Sequence, residues 1–496
     1  MTAPEKMVTS AKFGGVWGAT TLRAAACAAL VYVISGTTRA DEACERARRP
    51  PRLLPNAVQP AGASFEGYPN VEDAQKFAVA RGFLSSTTHE ILRHPVTAPL
   101  KSAGRLGERL GVRVRELSPR PGLPHTRAAD PRALGDLGGG AGGPCTPARI
   151  TLLPSSEEAL DGLLRVIASA QYYVDIMVYG WEDDAVGNAV ADALVAAARR
   201  GVRVCALIDR TAYILHNEKV TRGCPTFADR LAATPGVTMI ITPNPFIKMD
   251  HRKLAIVDGR IAWSGSMILT EVVLQRWRNL SFLAEGPIVA QYEAVFAERR
   301  QDAGGGGEPH LGTPETLDPA PNANVRLVRT DIGERSLKQA VYYAIDHAQR
   351  NIYLSNPYLS DEIVTHKLIE AARRGVDVRV VLTLRGNIRR LNQFGLWTAN
   401  TLYKGGVRVW LYPAMTHVKA MSVDGVWAYL GTGNFDELSL RNNREVGLAI
   451  NAPGVAAELD AVLFERDIAA SEEMHAPLPP LPFRRRLKLE IFALWY

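Results

Sequence analysis

The chain is expected to be an α/β protein made of two α/β domains with mixed sheets, preceded by an irregular N-terminal region. Three observations predict this. Helical and strand patterns alternate from Ser155 onward, which argues for a layered α/β domain with some parallel pairing. The whole pattern then recurs, with an offset that drifts from about 178 to about 174 residues, as a duplicated domain does and a solenoid does not. Each copy also carries an Asp-Gly pair, Asp258-Gly259 and Asp424-Gly425, between two alternating strands, the signature of a tight hairpin.

In the first copy, Ser155 and Glu158 form a capping-box pair ahead of an apolar-periodic helix over 159–170. A β-branched and aromatic strand follows over 173–179, then a helix over 189–200. Gly201 stops that helix, and 202–208 reads as the next strand. In the second copy AAARRGVRVCALID (196–209) returns as EAARRGVDVRVVLT (370–383). The domains are expected at 149–302 and 323–476, with a Gly/Pro-rich linker at 303–322 and a basic, apolar tail at 477–496. That tail suits either an anionic membrane interface or packing on the second domain.

Outside the repeat, residues 1–40 resemble an export signal: Lys6, Lys12 and Arg23 precede a short apolar run from Ala24 to Ile34, then small residues up to Ala40. The expected location is therefore exported or membrane-associated. Residues 41–148 are rich in Pro, Arg and Gly, with short helices expected near 71–83 and 99–110. Cys27 would leave with the leader. Of the four cysteines that remain, Cys205 with Cys224 and Cys44 with Cys145 are the expected pairs, with free buried thiols as the alternative. The 496 residues carry 58 Lys+Arg against 51 Asp+Glu, with 47% hydrophobic residues. These values exclude a mostly disordered chain, and no charge-free apolar run is long enough for a polytopic membrane protein. The formal charge of +7 leans weakly toward anionic partners.

Each copy contains His-x-Lys-x4-Asp: His251, Lys253 and Asp258, then His417, Lys419 and Asp424. On a strand, positions i and i+2 share a face, so each histidine points with its lysine. Such a pair suits attack on phosphorus, the ammonium neutralising nonbridging oxygens while the imidazole supplies a nucleophile or a proton. For each aspartate a turn role is the competing reading. Small-residue loops follow, Gly265-Ser266 and Gly431-Thr432-Gly433-Asn434, able to present N–H groups and small polar side chains to a phosphate. Asp436, Ser439, Asn443 and Glu445 complete the polar string in the second copy, where a carboxylate can hold an imidazole tautomer.

The two motifs, the ARRGV-strand segments, Trp277-Arg278 with Gly286-Pro287, and GTGNFDELSLRNNREVGL (431–448) make residues 150–470 resemble the phospholipase D superfamily and its bacterial cardiolipin synthase-like group. The resemblance implies pseudo-twofold-related domains with one active site at their seam and no metal or organic cofactor. It implies a phosphohistidine on one histidine, with the other as acid/base toward water or an alcohol. His251 is expected as nucleophile and His417 as acid/base, with Ser266, Asn434, Ser439, Asn443 and Glu445 around the substrate. Phospholipid at a membrane surface is the implied substrate, and a monomer suffices because both halves lie in one chain. Two residues depart from the family pattern. Ile268 stands where a phosphate-binding Asn is expected, and Asn279 where a carboxylate would orient the first-half histidine, leaving His417 with the better-equipped half. The alternatives are a nuclease of the same superfamily and a non-catalytic lipid-surface binder with a decayed first half.

Overall fold

The computed structural model describes residues 142–479, apart from 222, 243–248, 306–319 and 332. The leader, most of the region over 41–148 with its two expected helices, most of the linker, and nearly all of the C-terminal tail lie outside the described residues, as do Cys27 and Cys44. Lys219–Cys224 groups apart from the unit that carries everything below.

The first half runs β1 (Thr146–Leu153), α1 (Ser156–Ser169), β2 (Tyr173–Val178), α2 (Ala185–Arg199), β3 (Arg203–Asp209), α3 (Arg210–His216), β4 (Val237–Thr242), β5 (Lys253–Val257), β6 (Ile261–Gly265), β7 (Trp277–Arg278), β8 (Ser281–Glu285) and α4 (Ile288–Asp302). The second half repeats it: β9 (Ala323–Asp331), α5 (Ser336–His347), β10 (Asn351–Ser355), α6 (Glu362–Arg373), β11 (Asp377–Thr383), α7 (Arg389–Lys404), β12 (Arg408–Tyr412), β13 (Met415–Thr416), β14 (Ala420–Val423), β15 (Trp427–Gly431) and β16 (Glu445–Asn451). Helix α2 begins four residues before the expected start. Asp184 caps it, its carboxylate accepting the Gly187 N–H, a signal that the apolar periodicity alone does not carry.

Strand order is a palindrome about the β1–β9 pair: β4-β3-β2-β5-β6-β8-β1, then β9-β16-β15-β14-β10-β11-β12. In each half three strands run parallel and the rest antiparallel, so the sheets are mixed as expected. One core lies between the second-half sheet and helices α5 and α6, through Leu337, Val341, Leu368 and Val380. Another joins the halves, bringing Ile150, Ile256 and Phe282 together with Val446, Leu448 and Ile450 beneath α4. Burial on both faces explains why β15 is apolar throughout, and why β5 is apolar beyond Lys253, rather than alternating.

Two expectations need correction. Cys205 is a free, buried thiol that points from β3 into the core below α4, and Cys145 is a free, exposed thiol. Neither forms its expected pair. Cys224 is disulfide-bonded, with neither of these as its partner.

Asp258 and Asp424 occupy the hairpin turns with φ of 53° and 56°, and Gly259 and Gly425 follow at 66° and 65°. Two successive positive φ values make each a primed turn that matches the strand twist. Asp258 accepts the N–H groups of Gln171, Tyr172 and Tyr173, each at 2.8 Å, and so fixes the start of β2. Asp424 does the same for Gln349, Arg350 and Asn351. The structure does not bring these carboxylates to the imidazoles. Seven residues of strand, roughly 20 Å, separate each from its histidine. Their expected catalytic place is therefore corrected to a structural one. Replacing Asp258 or Asp424 by Ala should cost about 3 kcal/mol of stability, as three charge-assisted hydrogen bonds are lost. A denaturant midpoint lowered while the remaining folded protein keeps its turnover number would match this, whereas lost turnover at unchanged stability would contradict it.

Candidate active site

Backbone pairing places the two histidines. The chain just before β5 bridges to the second half at Asp250 and Arg444, with the His251 N–H donating to Arg444 O at 2.9 Å and the Arg444 N–H to Met249 O at 2.9 Å. The counterpart is the parallel β7–β13 pair, where the His417 N–H donates to Arg278 O at 2.7 Å. Each histidine is thus stitched to the strand entry of the opposite half. The residue after each arginine, Glu445 or Asn279, then falls beside the opposite ring.

His251 Nδ1 lies 2.9 Å and 3.1 Å from the two carboxylate oxygens of Glu445, 194 positions away in sequence. His417 Nδ1 lies 3.3 Å from Asn279 Oδ1. Sequence reasoning assigns these partners the other way round, because each follows the motif of its own half. The crossing is a tertiary feature, and it gives the carboxylate to His251. A carboxylate accepting from Nδ1–H leaves Nε2 as the free lone pair.

Both orienting groups are themselves held. Thr432 Oγ1 donates to Glu445 Oε2 at 2.6 Å, and Ser439 also faces that carboxylate. Asn279 Oδ1 accepts from Ser266 Oγ at 3.0 Å while its Nδ2 donates to Ser156 Oγ at 3.1 Å. The main chain of Thr432 near His251, and that of Ser266 near His417, favours the charged form of each ring. Ser266 and Glu445, expected around the substrate, are thus engaged in positioning, whereas the buried Ser439 Oγ near Glu445 has no hydrogen-bond partner among the described residues. Asn443 is engaged in positioning too, its Oδ1 accepting the Met249 N–H at 3.3 Å. Asn434 differs: it is buried in the small loop, and its Oδ1 has no hydrogen-bond partner among the described residues. Ile268 is buried and apolar, so the first half offers no such amide.

The lysines complete the cluster. Lys253 Nζ donates to His251 O at 2.5 Å and Lys419 Nζ to His417 O at 2.8 Å. Burial pushes Lys253 down to about 7 and holds Lys419 well below the ordinary lysine value, the latter aided by repulsion from Lys253. Burial also holds both imidazoles well below their usual range, and each ring is further disfavoured as a cation by both lysines. Burial lifts Glu445 to about 7 against the pull of Lys253, Thr432 and Ser439.

Aromatic and charged neighbours that sequence reasoning left without a place at the histidines complete the surroundings. Tyr179 packs edge-on against His251 at 4.8 Å between centroids, and Trp277 lies 5.1 Å from His417. Beneath His251, Asp250 binds Arg252 at 2.7 Å and Arg299 at 2.8 Å, while Arg444 binds Asp331 and Asp302, both at 3.1 Å. The Asp250 N–H donates to Asp209 Oδ2 at 2.8 Å. Only the Asp and Arg flanking the motif histidine could have hinted at this network. Among the described residues no group of three or more His, Cys, Asp or Glu could hold a metal ion.

A pocket with two buried ammonium groups and one compensating carboxylate should bind a small anion with proton uptake. Lys253 is charged below about pH 7 and loses that charge above it in the free protein. Sulfate, which does not titrate in this range, should therefore bind about ten-fold more weakly per pH unit above 7, levelling off below. Calorimetry from pH 6 to 9 reads this slope, and Lys253→Met should remove it; a flat profile in the parent protein would contradict the assignment.

Comparison with known proteins identifies the family. Cardiolipin synthase A of Yersinia pseudotuberculosis is 26% identical over 344 residues, which cover 63% of this chain and 68% of that protein. The enzyme of the same name from Cronobacter sakazakii is 25% identical over 340 residues, covering 63% and 68%. Among solved structures, a phosphatidylserine synthase of Haemophilus influenzae shares the fold with a TM-score of 0.57 at 16% identity, over 73% of this chain and 96% of that one. The cardiolipin synthase, PLD-like domain family matches residues 163–300 and 341–468, together more than half of the sequence, and the chain therefore belongs to the phospholipase D superfamily as an enzyme of its cardiolipin synthase-like group.

Proposed function

We propose that the protein is a phosphodiesterase or phosphatidyltransferase acting on phospholipids, with a phosphohistidine on His251 and His417 as acid/base. The observation that carries the role assignment is the carboxylate of Glu445 on His251 Nδ1 against the amide of Asn279 on His417 Nδ1. When Nε2 of His251 bonds to phosphorus the ring gains positive charge, and a buried carboxylate at Nδ1 stabilises that charge far more than an amide does. His417 needs the opposite property. It must give up a proton readily as the P–O bond to the leaving alcohol breaks, and Asn279 orients its ring without strengthening its hold on that proton.

In the second step His417 takes a proton from water or an alcohol, the new P–O bond forms, and the P–N bond to His251 breaks. Lys253, Lys419 and the Asn434 amide would face the nonbridging oxygens throughout. The domains at 149–302 and 323–476 would act as one catalytic unit within a monomer, since a single chain supplies both imidazoles and both orienting groups. Phospholipid as substrate rests on the cardiolipin synthase relatives, and an exported, membrane-associated setting rests on the sequence of the leader. The non-catalytic reading loses one of its two grounds, because Asn279 has a defined place as the partner of His417.

Labelled phosphatidylglycerol incubated with and without glycerol, in chelator, tests the reading. Turnover should vanish in His251→Ala and in His417→Ala; exclusive turnover of single-stranded DNA would replace it with the nuclease. With a p-nitrophenyl phosphodiester, whose leaving group needs no proton, His417→Ala should release one equivalent of nitrophenolate and stall as a covalent adduct on His251. An adduct forming instead in His251→Ala would reverse the roles.

Glu445→Gln keeps a hydrogen bond to the ring but removes the charge. Its kcat should fall by about 100-fold or more, the scale of carboxylate-to-amide changes at other catalytic histidines. A loss under three-fold would remove the carboxylate from the mechanism.

A further inference from the structure

From Val378 to Val423 the chain contains no Asp or Glu. Within that stretch the loop after β11 and the first turn of α7 read Arg385-Gly386-Asn387-Ile388-Arg389-Arg390. Arg385, Arg389 and Arg390 are all exposed, and their side chains have no ion-pair or hydrogen-bond partner among the described residues. Arg389 and Arg390 also sit at the positive end of the helix dipole, where Ile388 provides no side-chain cap and the first turn holds no acid. Cations are disfavoured there unless an external anion compensates them. At the centre of the patch Ile388 is 38% exposed, one of three large apolar side chains so exposed among the described residues.

The patch is fixed in place and lies close to the active site. Asn392 holds the loop, its Oδ1 accepting the Gly386 N–H at 2.9 Å and its Nδ2 donating to Leu384 O at 3.0 Å. Asn387 Oδ1 accepts the Tyr358 O–H at 2.5 Å. Tyr358 is near enough to Tyr179 to act on its phenol, and Tyr179 packs on His251. Tyr358, which bonds to the patch, and Tyr179, which packs on His251, thus lie near each other.

We infer that Arg385, Ile388, Arg389 and Arg390 form the face by which the protein docks on an anionic lipid bilayer, a reading that rests on the proposed phospholipid substrate. The three guanidinium groups meet lipid phosphates, and Ile388 enters the interfacial region between them. An aliphatic tip has no use on a nucleic-acid backbone, which would call for stacking aromatics beside the arginines. Docking here brings the headgroups to the loop that Tyr358 holds.

The test uses the full chain and the variant Arg385→Gln/Arg389→Gln/Arg390→Gln, with Arg→Lys at the same positions as a control for charge. Binding is measured by sedimentation with vesicles of phosphatidylglycerol and phosphatidylcholine at equal amounts, and with phosphatidylcholine alone. Turnover is measured on dihexanoyl phosphatidylglycerol below its micelle concentration, which needs no docking. Each basic side chain near an anionic surface contributes roughly a factor of five, so the Gln variant should bind mixed vesicles about 100-fold more weakly. The Lys variant should keep most of the binding, and soluble turnover should be unchanged in both. Vesicle binding unaffected by the Gln changes would overturn the inference, as would a loss confined to single-stranded DNA binding. If the parent binds vesicles through the patch but turns over no soluble lipid, the docking face stands and the proposed catalytic function fails.

Discussion

The hydrogen bond between His251 and Glu445 can exist only when the two halves are docked, because its partners lie 194 residues apart and belong to different repeats. The rest of the site follows from it. Local strand geometry sets His251 beside Lys253, but the proton on Nδ1, and hence the free lone pair on Nε2, is fixed from the other half. The buried ion pairs of Asp250 with Arg252 and Arg299, and of Arg444 with Asp331, flank the two residues that form this bond. Buried ion pairs of this kind add little net stability compared with well-packed apolar groups, yet breaking one leaves an uncompensated charge. Their position argues for register: a slip at the 250/444 bridge would separate ring from carboxylate while leaving most of the core intact.

A duplicated fold tends toward two equivalent sites, whereas the proposed chemistry needs two unequal ones. Strand order, hairpin turns, lysine placement and the crossing backbone bonds all obey the internal symmetry. The asymmetry lies in side chains: Glu445 against Asn279, Asn434 against Ile268, the aromatic wall of Tyr179 against Trp277, and the ion pairs around Asp250 and Arg444. The electrostatic difference between the imidazoles therefore arises from single substitutions within a shared frame. The backbone carries the geometry, and the side chains distribute the roles.

What could be read from sequence divides along the same line between local and distant. The α/β alternation, the duplication, the Asp-Gly hairpins and the shared face of His251 with Lys253 depend on short spacings, so periodicity and turn chemistry disclose them. The assignment of Glu445 to His251 depends on which strand entry each histidine meets across the seam, and no spacing within one half contains that. Ser266 shows a related limit. It reads as a phosphate ligand because it is small and polar beside a glycine, yet its hydroxyl donates to Asn279. The expected pairing of Cys205 with Cys224 failed because proximity in sequence says nothing of the strand face, and Cys205 faces the core.

The charges in the pocket bear on what it can accept. Two ammonium groups, two imidazoles and one carboxylate are buried together, and burial moves each group toward its neutral form. An empty pocket of this composition sheds protons rather than hold unopposed positive charge. A phosphodiester would bring the missing negative charge, which favours the protonated form of each lysine. A neutral ester would supply no such compensation and would leave the lysines as weakly polar, desolvated amines. Discrimination for phosphorus over carbonyl esters thus need not come from shape. It follows from burying cations that only an anionic substrate can keep charged.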